Sequence, residues 1–262
     1  MGSLRRLLSL NPSRVRLREV NAAFARSIPN DACVLDAGAG EAPYRPLFAH
    51  TKYETADFEQ VDKRYTPSTY VCDLADIPVD DARFDYIIFN QVMEHLPEPR
   101  TALAELFRVL KPGGKLLYTA PLCYQEHERP YDFYRYTRYA VKHLFTQAGF
   151  EFETHEWLEG YFATVGYHLS CMAQMLPRRP SEMRQIGIWK WVLFPVMVFL
   201  RFMFKLLGFF FSWLDLKCDY DARGYPKNYY AIVIKPADGQ VSQSDPSSMM
   251  EHVVLKPRKL EK

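Results

Sequence analysis

The sequence predicts an α/β fold in which a mostly parallel sheet is covered by helices on both faces. Short apolar runs of strand length alternate with amphipathic helical segments over residues 30–155, an alternation typical of parallel sheets. The run at 84–90 is apolar enough for a strand buried on both faces. The first strand ends at Asp36-Ala37-Gly38-Ala39-Gly40, and such a glycine turn lets a ligand approach the backbone closely.

The elements follow in order from these patterns. The expected strands are 32–36, 52–57, 68–72, 84–90, 115–120, 150–157 and 228–235. The expected helices are a basic segment within 1–28, then 43–50, 99–110 and 138–148. Proline at the start of a helix is harmless, and the Lys111-Pro112-Gly113-Gly114 stretch ends one. The gap between strands two and three is too short for a full helix, so this crossover is predicted to be truncated.

The chain of 262 residues divides into four segments. Residues 1–28 form a basic helical segment, which is a helix over the sheet edge, a lid, or a patch for anionic lipid. Residues 29–159 and 226–236 form the sheet domain. Residues 160–225 form a hydrophobic helical insertion between strands six and seven, and residues 237–262 a polar, disordered tail. Five scattered cysteines without a C-x-x-C pair favour reduced thiols in the cytosol.

Three acids, Asp36, Asp57 and Asp73, lie at or just beyond the ends of three successive strands. A dinucleotide-binding turn would carry a third glycine where Pro43 stands, and Glu41 occupies the place of a pyrophosphate. No phosphate-binding Gly-Lys-Ser/Thr sequence follows either. The turn is therefore predicted to take a ligand that lacks phosphates and carries a cationic part.

Residues 30–155 resemble the class I S-adenosylmethionine-dependent methyltransferases. The motifs that carry the resemblance are Val34–Glu41, Asp57, Cys72-Asp73-Leu74 with Ile77-Pro78, Asn90–Pro97, and Leu110–Gly114. The resemblance implies a Rossmann-like seven-stranded sheet, mostly parallel with an antiparallel last strand. It also implies an enzyme whose cofactor is S-adenosyl-L-methionine.

At the methionine end of the cofactor, the resemblance implies a role for five residues. The backbone at Gly38, Gly40 and Asn90 approaches the methionine part. Asp36 and Glu41 favour its ammonium and sulfonium region. A purely structural alternative for Asp36 is to cap the segment after the turn.

At the adenosyl end, the resemblance implies three further contacts. Asp57 accepts hydrogen bonds from both ribose hydroxyls, a task that suits a carboxylate. Asp73 takes the adenine amino group, and Leu74 packs on the ring. Asp73 alternatively caps a short turn.

The candidate acceptor residues lie in the polar, aromatic loop after strand five and in the segment after strand four. His127, Asp132 and Arg135 offer a base and an anion clamp, and His95 is the other candidate base. A purely structural alternative is that the Arg135–Asp132 pair fixes the loop and that His95 bridges backbone groups. The loop pattern is similar to that of methyltransferases linked to bacterial surface glycans or lipids. No Cys/His cluster has zinc spacing, so no metal is expected.

The segment 186–216 is almost wholly apolar and aromatic. On a helix, a narrow polar stripe is formed by Arg201, Lys205, Gly208, Ser212 and Asp215. Three interpretations remain open: a helix in the membrane interface, a transmembrane or re-entrant hairpin, and a core or homodimer helix. Pro195 is expected to interrupt the helix.

The sequence therefore predicts a methyltransferase that acts on a lipid, a lipid-linked glycan or another amphipathic small molecule. It is expected in the cytoplasm, peripheral to the inner face of the membrane. One alternative is a soluble O-methyltransferase of a small hydroxylated metabolite, with the insertion as an acceptor lid or dimer contact. Another is a non-catalytic scaffold. Nucleic acid is disfavoured as a partner, because the net charge is only +2.

Overall fold

The computed structural model describes residues 11–61, 64–218 and 224–237. The strands are β1 Cys33–Ala37, β2 Lys52–Asp57, β3 Tyr70–Val71, β4 Phe84–Asn90, β5 Leu110–Pro121, β6 Glu151–Trp157 and β7 Asn228–Ile234. The helices are α1 Pro12–Arg26, α2 Pro99–Val109, α3 Arg138–Gln147, α4 Tyr161–Met175 and α5 Lys190–Lys217. Three 3-10 segments cover Arg45–Phe48, Met93–His95 and Pro180–Trp189.

The seven strands form one sheet in the order β3-β2-β1-β4-β5-β7-β6. The pairs from β3 to β5 are parallel, whereas β7 is antiparallel to both β5 and β6. The predicted fold class is confirmed, including the antiparallel last strand. The strand order reverses between β1 and β4, and a ligand of an open α/β sheet binds at such a reversal.

The core consists of two apolar layers, one on each face of the sheet. Alternate residues of a strand point to opposite faces, so Leu35 joins one layer and its neighbour Val34 the other. The first layer includes residues of α2 and α3, and the second includes those of α1, such as Phe24. Both layers exclude water at the centre of the sheet, where Ile87 and Ile88 have no exposed surface. The sheet edge at the β1–β4 reversal is thereby held rigidly.

Several predicted boundaries differ from the structure. The helix predicted over 43–50 is wrong, because only the 3-10 turn Arg45–Phe48 forms there. Two prolines, Pro43 and Pro46, remove backbone donors in this short segment, and Ala42 has a φ of 48°. Strand β5 begins earlier than predicted, since the chain passes from α2 directly into extended backbone at Leu110.

Other predictions lie outside the described residues. They concern the first ten residues of the basic segment and the tail beyond 237. Within the described crossover, 58–61 and 64–69, no helix forms. The predicted truncation of this crossover agrees with that observation.

The described residues fall into two compact units. Residues 16–158 and 228–237 form the sheet unit, and residues 11–15, 159–218 and 224–227 form the helical unit. The helical unit is dominated by a hairpin of α4 and α5. Pro195 does not interrupt α5, contrary to the prediction, because it lies near the start of the helix and the chain stays helical through it.

Small and polar side chains form the contact between α4 and α5. At the crossing, a Cβ on Gly166 would come within 2.5 Å of the Ser212 hydroxyl, and one on Gly208 within 2.8 Å of Ser170 Oγ. The backbones of α4 and α5 therefore approach one another as closely as glycine allows. Gly208 and Ser212 belong to the predicted polar stripe and are buried.

Two charged residues of the stripe, Asp215 and Arg201, hold the two ends of α4. Asp215 accepts hydrogen bonds from the backbone N–H groups of Gly160 (3.2 Å) and Ala163 (3.1 Å) at the first turn of α4. The Arg201 guanidinium donates to the carbonyls of Ala173 and Leu176 at its last turn. Each charge lies at the helix end that it stabilises. Four of the five stripe residues, all but the exposed Lys205, thus face α4, and the opposite face of α5 is left to aromatic side chains.

Candidate active site

The glycine turn after β1 forms as the sequence predicts. Gly38 donates to Ala56 O (2.8 Å) and has a φ of 75°. A Cβ at Gly38 would lie 2.4 Å from a methyl carbon of Val92. Only glycine fits here, because both the backbone conformation and the space exclude a side chain.

Asp57 is the carboxylate that joins the turn to the end of β2. Its Oδ2 accepts a hydrogen bond from Gly40 N (2.9 Å), and its Oδ1 accepts one from Glu59 N (3.1 Å). The residue is 5% exposed and lines a cavity. Each carboxylate oxygen has capacity for a further donor, so Asp57 can still receive hydroxyl groups from a ligand.

The cavity has a volume of about 370 Å³ and lies beyond the carboxyl ends of β1, β2 and β4. Such a volume is typical of sites for small molecules. Four of the eight predicted cofactor residues line it: Gly38, Asp57, Asp73 and Leu74. The other four, Asp36, Gly40, Glu41 and Asn90, are not part of its lining.

Asp36 is buried beneath the glycine turn. The Tyr53 hydroxyl donates a hydrogen bond to Asp36 Oδ2. Burial raises the pKa of Asp36 to about 6, the Tyr53 hydrogen bond opposes this shift, and the nearby charge of Asp57 adds to it. A cationic group close to Asp36 would lower that pKa again.

Glu41 and Asn90 take part in local structure. The Glu41 side chain is exposed, and its carbonyl accepts from Thr66 Oγ1 (3.0 Å). The Asn90 side chain donates to Asn21 Oδ1 (2.8 Å) and accepts from Thr119 Oγ1 (2.9 Å). These contacts fix the backbone around the turn, which is compatible with the backbone role predicted for Asn90.

The two histidine candidates come together at the other side of the cavity. The rings of His95 and His127 are T-shaped with centroids 4.6 Å apart. His95 lines the cavity, and its Nδ1 bonds to the carbonyl of Tyr131, which also lines it. Burial lowers the pKa of His95, and the Tyr131 hydrogen bond opposes that shift. His95 is therefore a neutral imidazole near neutral pH.

Asp132 and Arg135 lie behind His127 and form a bidentate ion pair. The guanidinium bonds to both carboxylate oxygens, at 2.6 and 2.9 Å, and to the carbonyls of Tyr124, Gln125 and Tyr134. The Arg135 hydrogen bonds hold the pKa of Asp132 well below its usual range. Asp132 Oδ2 in turn accepts from His127 N (2.8 Å) and lies 3.4 Å from His127 Nδ1. The pair fixes the loop and positions His127.

Glu94, which precedes His95, is a site residue that was not predicted from the sequence. Its side chain has no exposed surface, and neither carboxylate oxygen has a hydrogen-bond partner. Burial raises its pKa to about 8. Its Oε1 lies 3.9 Å from His95 Nε2. The Glu94-His95 pair is flanked by the apolar residues Met93 and Leu96, but this pattern does not by itself show that the turn is buried.

The aromatic closure of the cavity was also missed. Phe58, just after β2, packs edge-on against Tyr131 of the loop after β5, with centroids 5.3 Å apart. Both residues line the cavity. Two distant segments thus meet across its mouth, and no local sequence pattern indicates this.

The chain belongs to a family of methyltransferase domains, whose model matches residues 9–167. It is 36% identical over 97 residues to a probable S-adenosylmethionine-dependent methyltransferase of Mycolicibacterium smegmatis, covering 34% of this chain and 37% of that protein. It is 29% identical over 108 residues to the demethylmenaquinone methyltransferase of Chlamydia caviae, covering 37% and 47%. The matched part therefore spans less than half the length of these two relatives.

Among solved structures, the [4+2]-cyclase SpnF has a TM-score of 0.52 at 20% identity, covering 84% of this chain and 81% of that one. This likeness concerns the fold alone. The predicted family and the predicted cofactor, S-adenosyl-L-methionine, are confirmed. The residues present fit that cofactor. At Gly38 no side chain can occupy the space beside the backbone, the buried carboxylate of Asp57 lines the same cavity, and Leu74 gives it an apolar wall.

Proposed function

We propose that the protein is an S-adenosylmethionine-dependent methyltransferase of a lipid, a lipid-linked glycan or another amphipathic small molecule, and that it works at the membrane surface. The observation that carries the membrane part is the outward face of α5. Within the segment Pro180–Lys217, the most apolar 18-residue window is only 6% buried in the protein. This segment is long and apolar enough to cross a membrane by length and composition.

The sheet unit supplies the methyl-transfer site. The bound cofactor provides a methyl group that its sulfonium already activates. The chain's own residues then need to align the acceptor with it and exclude water. Gly38, Asp57, Asp73 and Leu74 hold the adenosyl and methionine parts, with Asp36 beneath the turn as the counter-charge. His95 lines the acceptor side of the cavity and His127 packs against it, and their imidazole nitrogens are the candidate acceptors for a hydroxyl proton.

The outward face of α5 is a continuous aromatic stripe. Phe199, Phe202, Leu206, Phe210 and Trp213 follow one another at intervals of three or four residues and are 44–64% exposed, so they share one face of the helix. Water disfavours such a large contiguous apolar surface. The polar stripe cannot shield it, since Gly208, Ser212 and Asp215 are buried on the inner side.

The hairpin is better suited to lie in the interface than to span the bilayer. Helix α4 has 15 residues, or about 22 Å at 1.5 Å per residue, whereas a bilayer core is about 30 Å thick. The connection between the helices carries Arg178, Arg179 and Arg184. Basic residues resist translocation and attract anionic headgroups. Trp189 and Trp213, near the ends of the segment, suit the interfacial level.

An acceptor that resides in the membrane follows from this placement. An enzyme on the lipid surface meets amphipathic molecules at high local concentration. The demethylmenaquinone methyltransferase among the relatives matches only 37% of this chain, so its acceptor is not transferred here. The class of acceptor is proposed from the hairpin alone.

The proposal is tested on the full chain in three assays. Calorimetry should show one S-adenosylmethionine per chain, and flotation should place the protein with vesicles that contain anionic lipid. Mass spectrometry of lipid and glycan extracts from cells with and without the protein should show a product one methyl group heavier. Without cofactor binding the enzymatic part fails. A protein that stays in the aqueous fraction as a dimer supports the soluble alternative instead.

A further inference from the structure

We propose that Glu94, His95 and His127 form a binding site for a divalent transition-metal ion at the acceptor side of the cavity. One donor atom from each residue lies within 4.8 Å of the others. The sequence predicted no metal, because these residues do not show a zinc-type spacing along the chain. The fold brings the loop after β5 onto the turn after β4 and makes the cluster.

The geometry suits a shared ion. Metal bonds of about 2.0–2.2 Å place neighbouring donor atoms roughly 3 to 3.5 Å apart. His95 Nε2 and Glu94 Oε1 are already 3.9 Å apart. His127 is 25% exposed in its side chain and belongs to a loop, so it can close the remaining gap by a small rotation.

Both imidazoles are oriented as metal ligands usually are. A ligating histidine donates its other ring N–H to a carbonyl or a carboxylate. His95 Nδ1 contacts the Tyr131 carbonyl. His127 Nδ1 lies 3.2 Å from the Gln125 carbonyl and 3.4 Å from Asp132 Oδ2. With a proton on each Nδ1, each Nε2 carries a free lone pair.

The Glu94 carboxylate is the independent observation that points to a ligand. It is fully buried, and both of its oxygens lack hydrogen-bond partners. A buried polar group without a partner is costly and needs an explanation. A cation between Glu94 and the two imidazoles would satisfy it. The Asp132–Arg135 pair then acts as a positioning element for His127.

Two imidazoles and one carboxylate favour a transition metal such as Zn²⁺, Mn²⁺ or Fe²⁺ over Mg²⁺, which prefers oxygen ligands. Three protein ligands leave coordination positions open. A hydroxyl of the acceptor at one of them would be acidified beside the cavity. This catalytic use rests on the proposed function, whereas metal binding by itself does not.

The test is a Co²⁺ titration of the full chain after chelator treatment and tag removal, without cofactor or acceptor. Visible absorption reports coordination, and competition with Zn²⁺ reports affinity. We expect one equivalent of Co²⁺ per chain. His127→Ala and Glu94→Gln should each lose at least about tenfold in affinity, since even outer partners of metal ligands cost 10–100-fold. His143→Ala, an exposed histidine on α3, is the matched control and should bind like the wild type.

Equal Co²⁺ affinity in the wild type, His127→Ala and His143→Ala would overturn the proposal, as would no binding by the wild type. Glu94→Gln keeps the shape of the side chain, so it tests the site even if His127→Ala disturbs the loop. Calorimetry with S-adenosylmethionine separates the two proposals. A variant that keeps cofactor binding but loses Co²⁺ supports the metal site, and a wild type that binds Co²⁺ without methylating any extract contradicts only the proposed function.

Discussion

The sheet unit and the helical unit bury opposite kinds of surface. In the sheet unit, aromatic residues such as Phe48, Phe84 and Phe89 have no exposed surface. In the helical unit, α5 turns Gly208, Ser212 and Asp215 inward and leaves Phe199 and Phe202 at 60% and 64% exposure. The hydrophobic effect in water favours the first arrangement, in which the aromatic side chains are buried. The second, with small residues at a close helix contact, is typical of helices that meet lipid.

The two units also differ in the position of their buried polar groups. In the sheet unit, polar groups such as Asp36, Asp57 and Glu94 are buried close to a cavity. In the helical unit, Asp215 and Arg201 bind the two ends of a neighbouring helix. The buried polar groups of the sheet unit therefore form a candidate site, whereas those of the helical unit stabilise the packing of α4 against α5.

The same substitution, phenylalanine to aspartate, should have opposite effects in the two units. Phe89→Asp should abolish folding, because it places an unpaired charge in a closed core and removes an aromatic side chain worth about 3–5 kcal/mol. Phe202→Asp should leave the fold intact. Circular dichroism and thermal unfolding of both variants in mild detergent measure the difference. If Phe202→Asp also unfolds the chain, the outward face is structural.

The double variant Phe202→Asp/Phe210→Asp should detach the protein from vesicles. Burial of each phenylalanine in an apolar phase is worth about 1.5–3 kcal/mol, so the partition coefficient between vesicle and water should fall by more than about 100-fold. Flotation measures this coefficient. Tyr139→Asp, which changes an aromatic residue that is 74% exposed on α3, is the matched control. Equal flotation of the two variants would contradict the membrane role of α5.

Asp57→Ala should weaken S-adenosylmethionine binding by about 100-fold, because a charged hydrogen-bond acceptor is worth about 1.5–3 kcal/mol. Asp57→Asn keeps an acceptor for Gly40 N and should lose less. Calorimetry compares both with Asp76→Ala, an exposed acid outside the cavity. Unchanged affinity in Asp57→Ala would remove this residue from the cofactor site.

Gly166→Val should destabilise the helical unit by about 1–3 kcal/mol, because overpacking at a close contact forces the backbones apart. Met172→Val introduces the same residue at a 46% exposed position of the same helix and should be nearly neutral. Thermal unfolding in detergent distinguishes them. Equal melting temperatures would mean that the close crossing of α4 and α5 is not needed.

The smallest expected effect is a pH dependence of cofactor affinity. The pKa of Asp36 is about 6 in the free protein, so Asp36 is mostly neutral at pH 5 and ionised at pH 7. A cationic cofactor group favours the ionised form, and affinity should therefore rise by up to about tenfold per pH unit below 6 and level off above it. Calorimetry from pH 5 to 8 tests this. Asp36→Asn should show a flat profile over the same range.

Much of the sheet unit could be predicted because its signals are local. The bounds of β2 and β4 agree with the prediction, since apolar runs between turn residues define them. The helix predicted at 43–50 is wrong because Pro43 was treated as a harmless first-turn proline, whereas a second proline, Pro46, follows it and only a 3-10 turn forms. The candidate cofactor residues followed from the resemblance to the methyltransferase family, and four of the eight line the cavity. Glu94 and Phe58 were missed, because their roles depend on a loop that is distant in sequence.

The sequence by itself determined the α/β fold class with its mostly parallel sheet, the glycine turn and the acids beside it. These features depend on periodicity and on backbone conformations that few residues allow. Only the tertiary structure decided which way the polar stripe of α5 points. It also decided that the side chains of His95, His127 and Glu94 lie close together. A helical stripe has no preferred direction until a partner helix is present. A cluster of side chains from distant segments exists only once the loop that carries His127 has packed against the turn after β4.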